Sequence, residues 1–318
     1  MAARERAAAL TTAGLDELSQ GTAEGNDRAI ALFKQALELD ASVPGTNLAL
    51  GRAYRIKGAL NDELQLWRQR AQRDPRDADA TERLGWLLWF TGHADEAVPW
   101  LHAALAERPE GRWARFYLGN ASLALGDYEE AQRAYASALE LHPDHSSAQA
   151  GVIWSLLAAR KDDEARRHLE RFRMGSFDGD RYPLKLADIE YFLGEDEQSA
   201  LHATEAAAAE PEERYWPRGI LASTILGALR WRTGPEDAVV QLETSKRIDS
   251  ERLEGGDEGY MPHIDRAAVE AIGGDARAAC ASLRTAIAAG WRYGPLASRD
   301  RLFENLHADE EFRSLVAG

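Results

Sequence analysis

The chain has 318 residues, 45% hydrophobic and 29% charged, with 38 basic against 53 acidic side chains and a formal net charge of −15. That balance argues against a nucleic-acid partner, because phosphate backbones require clustered cations. A single cysteine, Cys280, rules out an internal disulfide and a cysteine metal site, and no apolar run approaches the ~18–20 residues of a membrane span.

The first stretch, MAARERAAALTTAGLDELSQ, carries early charges and no apolar core, so it does not read as a secretory signal. A cytoplasmic location is expected, or a periplasmic one if the sequence is part of a longer chain. Residues 1–40 read as a helix to about Ser19, a loop QGTAEGND, and a second helix with Asn26 or Asp27 as its N-cap. Helix pairs then follow at 44–75, 78–109, 112–143 and 146–177. A sixth, at 180–211, has Pro183 in its first turn, a favoured place for proline.

These pairs keep one register. A step of 34 residues joins Pro75, Pro109, Pro143, Phe177 and Pro211. The same step joins Gly58, Gly92, Gly126, Arg160 and Gly194, and it joins the large-small pairs Leu50-Gly51, Leu84-Gly85 and Leu118-Gly119, weakening at Val152-Ile153. A fourth column runs Ala29, Glu63, Ala97, Ala131, Ala165 and Ser199, with Phe33, Trp67, Leu101, Tyr135, Leu169 and Ala203 four residues later. Small residues let antiparallel helices approach, large ones fill the gap, glycine turns the chain, and proline ends the second helix. Glu63 in a small-residue column predicts a loosely packed pair.

The period, the Leu-Gly pair, the Ala-x3-Tyr-x2-Ala spacing and the closing proline resemble the tetratricopeptide repeat over roughly residues 8–211. The resemblance implies an all-α, right-handed superhelical solenoid of antiparallel helix pairs. Two regions are expected: an array of about six units over 1–211, and degenerate helix pairs with a C-terminal cap over 212–318, continuous with it.

After Pro211 the register slips by about six residues. Leu226-Gly227 with Gly234 mark a seventh unit, Glu254–Pro262 a loop, and 263–289 a further pair around Gly273-Gly274. Asp300-x-x-Phe303-x-x-Leu306 repeats as Asp309-x-x-Phe312-x-x-Leu315, predicting two short capped helices that close the open end of the solenoid. This ending, with Gly290-Trp291, resembles the tails of tetratricopeptide regions attached to bacterial winged-helix regulators and class III adenylate cyclases; neither of those domains is present in the sequence.

In such an array the first helices line a concave groove. Arg52, Trp86, Asn120 and Trp154 follow the large-small pairs, and Arg55, Trp89 and Tyr191 lie one turn on. Arg83, Phe90, Trp113, Phe116, Tyr117 and Trp231 are neighbours. Water-facing aromatics mark binding surfaces, so these residues predict a groove for a protein or peptide, with Arg52, Arg55 and Arg83 as a basic patch. A carboxylate clamp of Lys and Asn, known in this family, is incomplete, since only Asn120 matches it. His142 and His145 are expected to be solvated loop histidines, with no third metal ligand. No phosphate loop, catalytic constellation or cofactor motif is found. The expected function is a non-enzymatic binding scaffold. The alternatives are a sensory or regulatory module of a bacterial signalling system, a small-molecule enzyme using the groove, and a self-associating piece that buries the aromatic stripe in its own dimer.

Overall fold

A computed structural model describes residues 2–175 and 182–317. Eight antiparallel helix pairs follow one another: α1 (Ala2–Ser19) with α2 (Ala23–Leu39), α3 (Thr46–Lys57) with α4 (Leu60–Arg73), α5 (Ala78–Phe90) with α6 (Ala94–Glu107), α7 (Arg112–Ala124) with α8 (Tyr128–Leu141), α9 (Ser146–Ala158) with α10 (Asp162–Met174), α11 (Tyr182–Leu193) with α12 (Asp196–Ala209), α13 (Ala222–Trp231) with α14 (Pro235–Glu254), and α15 (Met261–Ile272) with α16 (Ala276–Ala288). Beyond them lie α17 (Gly294–Ala297), a 3-10 turn Arg301–Leu306 and α18 (Glu310–Ala317). From α5 to α15 the odd-numbered helices pack side by side, each on the next, so they form one wall of the solenoid.

The periodic columns explain the packing. A Cβ on Gly85 would lie 2.5 Å from Leu101, and one on Gly119 would lie 2.5 Å from Tyr135. The small residue of one helix thus receives the large residue of its partner, which is completely buried. Gly58, Gly92, Gly126 and Gly194 turn the chain at φ of 76–85°, and Arg160 takes the same place in the column at φ 58°. Before each of Pro75, Pro109, Pro143 and Pro211 the backbone leaves the helical region, with φ of −133 to −144° and ψ of 75–92°, as a following proline favours, so the second helices end there. Phe177, the fifth member of that column, lies outside the described residues.

Three expectations are corrected. The loop QGTAEGND is mostly helix: Thr22 caps α2, accepting from the Gly25 N–H at 3.0 Å, and Asn26 lies inside α2, where its Nδ2 donates to the Ala53 carbonyl at 3.0 Å. Glu63 does not loosen its pair. Its buried carboxylate holds Arg55 at 2.5 Å and accepts from Trp67 Nε1 at 3.3 Å, so the ring and the acid together fill the column. The tail does more than close an end, because it turns back along the odd-helix wall. Arg299 donates to the Leu157 carbonyl at 2.7 Å, and Arg301 forks onto Asp196 at 2.6 and 3.0 Å. The expected capping is present: Asp300 and Asp309 accept from the Leu302 and Phe312 N–H groups, each at 2.9 Å. The first of the two short helices is 3-10 rather than α.

Candidate functional site

The six-residue slip after Pro211 has a structural counterpart. Residues 211–221 leave the helix ladder and lie across the odd-helix wall, anchored by a β-bridge between Arg214 and Leu221. Trp216 packs edge-on against Trp89 and Phe116 at 5.6 and 6.2 Å, and its indole N–H donates to the Tyr293 hydroxyl from the tail. Trp89 donates to the same hydroxyl at 2.9 Å. Two residues on, Arg218 is buried, donating to Asp188 of α11 at 2.5 Å and to Asp300 of the tail at 2.8 Å. Burial pushes the Asp188 carboxyl up to about 7; Arg218 opposes that shift, while Asp300 and Asp265 add to it. The loops of the C-terminal half also reach the turns of the second and third pairs. Glu258 N–H donates to the Gly58 carbonyl at 3.3 Å, and a Cβ on Gly92 would lie 2.5 Å from Gly290 Cα.

This self-filling divides the predicted groove. Trp154 and Asn120 are wholly buried and Tyr191 is 1% exposed, so the expectation that they face open water is corrected. Arg218 stands 5.8 Å from the Trp154 and Tyr191 rings, and Asn120 Oδ1 accepts from the Tyr135 hydroxyl at 2.8 Å. Trp231 and Arg52 lie away from the pocket described next. Trp89 and Phe116 are also buried, but both contribute to its wall.

What stays open is a pocket of about 530 Å³ at the odd helices α5, α7 and α9. Eight of the predicted residues line it: Arg55, Arg83, Trp86, Trp89, Phe90, Trp113, Phe116 and Tyr117. Trp113, 40% exposed, stacks on Tyr117 at 6.0 Å; Trp86 tilts against Tyr117 at 6.3 Å and carries the Arg55 guanidinium over its face at 4.7 Å. Arg112, Asp144, His145, Ser146, Ser147, Lys185, Arg214, Tyr215, Trp216 and Met261 complete the wall and were not among the groove residues expected from the sequence. Lys185 had a signal, since it stands three 34-residue steps beyond Arg83 and two beyond Tyr117 in their column. Its Nζ donates to Ser146 Oγ at 2.7 Å.

His145 corrects the reading of a solvated loop histidine. It caps α9, its Nδ1 accepting from the Ala148 N–H at 3.3 Å, and it lies 4.8 Å from Trp113. Burial, with Arg112 and Lys185 nearby, lowers its pKa to about 4, so the ring is neutral at pH 7. Arg214 donates to the buried Asp249, whose carboxyl is raised to about 9, first by burial and then by Asp265 beside it.

The fold and the pocket define a helical-repeat solenoid with a partly self-filled inner wall. Tetratricopeptide-repeat family models match residues 82–131 and 122–182. Over these residues the chain carries tetratricopeptide repeats. It is 30% identical over 99 residues to the peroxisomal targeting signal receptor of Kluyveromyces lactis, covering 31% of this chain and 18% of that protein. To the receptor of the same name in Saccharomyces cerevisiae it is 27% identical over 135 residues, covering 41% and 22%. The chain thus spans about a fifth of the length of these curated relatives. Among solved structures, one titled as the functional characterization of Pseudomonas aeruginosa pilF has a TM-score of 0.49 and 20% identity, over 67% of this chain and 96% of that one. Among the described residues, no helix is long and apolar enough to cross a membrane.

Proposed function

We propose that this protein is a non-enzymatic interaction scaffold that takes a short segment of a partner protein into the pocket at α5, α7 and α9. The observation that carries the reading is the pair of rings at Trp86 and Trp113. Trp113 is 40% exposed and Trp86 half-buried, in a wall where the neighbouring aromatics are covered by the chain's own residues 211–221. Large aromatic surface left to water favours a partner that covers it. The partial likeness to targeting signal receptors supports a receptor-like role.

Affinity capture from cell extract tests this, comparing the wild type with a Trp86→Ala, Trp113→Ala variant of equal helicity. A protein retained by the wild type and lost by the variant is the expected result. Identical captures would sink the proposal. A concentration-dependent dimer abolished by Trp113→Ala would instead make the stripe the interface of a second copy.

A further inference from the structure

We infer that the pocket selects an oxyanion, a carboxylate or phosphate, carried on a planar aromatic body. The inference rests on the pocket being the recognition site and adds the chemistry of what enters it. Three independent features converge on that chemistry.

The first is hydrogen bonding. His145 is 8% exposed and Arg214 is 5% exposed. Because Nδ1 of the neutral His145 ring accepts from Ala148, its proton sits on Nε2, and Nε2 is buried without a partner. On Arg214, Nη2 is bound to Asp249, while Nε and Nη1 are buried without partners. Among the described residues, every unsatisfied buried side-chain polar atom on this wall is therefore a donor. Unpaired buried donors are costly, and a group that only accepts satisfies them best.

The second feature is charge. Arg83 and Arg112 line the pocket, and among the described residues neither forms a direct ion pair, Glu82 acting on Arg83 only at longer range. Among the described residues Asp144, exposed, is the one acid on the wall. In a chain of net charge −15 this is a local reversal of sign, which concentrates anions at the pocket.

The third is shape. The Trp113 and Tyr117 planes differ by 23°, so they present nearly aligned faces, with Trp86 beside them. An incoming ring can stack or meet them edge-on. The 530 Å³ volume lies in the range of small-ligand sites. A free aromatic acid and an acidic aromatic segment of a partner share this chemistry.

Calorimetric titration of the full chain tests the inference. The charged probes are phenylacetate and phenyl phosphate; the controls are phenylacetamide, which lacks the charge, and acetate, which lacks the ring. A hexapeptide ending in phenylalanine, as free acid and as amide, forms a second arm. Charged aromatic probes are expected to bind about tenfold or more tightly than either control, and Arg83→Gln with Arg112→Gln should erase the difference without changing the melting temperature. Tighter binding of phenylacetate than of the acid peptide would point to a free small molecule, and the reverse order to a partner segment; either supports the inference. Equal binding of phenylacetate and phenylacetamide would overturn it. So would silence of all charged probes. If capture still depended on Trp86 and Trp113 in that case, the scaffold reading would stand and only the anion chemistry would fall.

Discussion

One wall of the solenoid has two fates. Around α5 and α7, Arg83, Trp86, Trp113 and Tyr117 border an open pocket. Around α9 and α11, Trp154, Asp188 and Tyr191 occupy equivalent columns yet are buried under Arg218 and the tail. Along one column the change is progressive: Arg52 is exposed, Trp86 half-buried, and Asn120, Trp154 and Asp188 buried. A repeat position therefore fixes which way a side chain points, while the segment lying over it decides whether water reaches it. The largest test of this division is Arg218→Ala. It strands Asp188 and Asp300 without their shared cation, and breaking a buried pair this way costs roughly 3–5 kcal/mol. Arg83→Ala in the open half should stay within about 0.5 kcal/mol. Urea midpoints of the two variants measure the contrast, and equal losses would erase it.

The sealed half also predicts a pH signature. The folded Asp188 carboxyl is raised from its ordinary value near 3.8 to about 7, chiefly by burial. Its stabilising contribution is therefore fully present below about pH 4 and is lost as pH rises through about 7. Asp188→Asn carries no such titration. The wild type should gain stability over this variant as pH falls from 8 to 5.5; a difference flat or reversed across that range would show the carboxyl is ionised throughout.

The turns show the same contrast on a smaller scale, between one that the returning chain covers and one that it does not. Gly92 and Gly126 both have left-handed φ, but a Cβ on Gly92 would meet Gly290 Cα at 2.5 Å, while one on Gly126 meets nothing within 4 Å. Gly126→Ala should cost only the backbone penalty, roughly 1–2 kcal/mol. Gly92→Ala should cost more, because the returning backbone must also move. Thermal melts of the two variants read the difference, and equal shifts would mean the tail gives way freely.

The helix pairs were legible because each column repeats a packing requirement: Gly85 against Leu101 and Gly119 against Tyr135 are one solution used twice. Eight pocket residues were legible for the same reason, as they stand at fixed places on the first helices. Residues 211–221 were not, because a segment crossing the repeats obeys no period, and only the six-residue slip recorded it. Arg214, Tyr215 and Trp216 were thus missed together. Trp154 was assigned to open water because periodicity gives a direction and no cover. His145 was missed because a loop position in the sequence carries no sign that the ring caps α9 and packs on Trp113.

The smallest effect concerns the one member of the turn column that departs from glycine. Arg160 holds φ 58°, the only positive φ outside glycine among the described residues. A side chain in that region costs roughly 1 kcal/mol, because Cβ crowds the carbonyl that follows. Glycine removes that crowding but gives the unfolded chain more freedom, which offsets part of the gain. Arg160→Gly should therefore raise stability by a few tenths to about 1 kcal/mol. Gly126→Arg should lose stability at the equivalent turn, where nothing lies within 4 Å to complicate the comparison. Denaturation midpoints moving in opposite directions would show that the column is set by backbone geometry alone. A loss at Arg160→Gly would mean that the arginine side chain itself contributes more than its backbone strain removes.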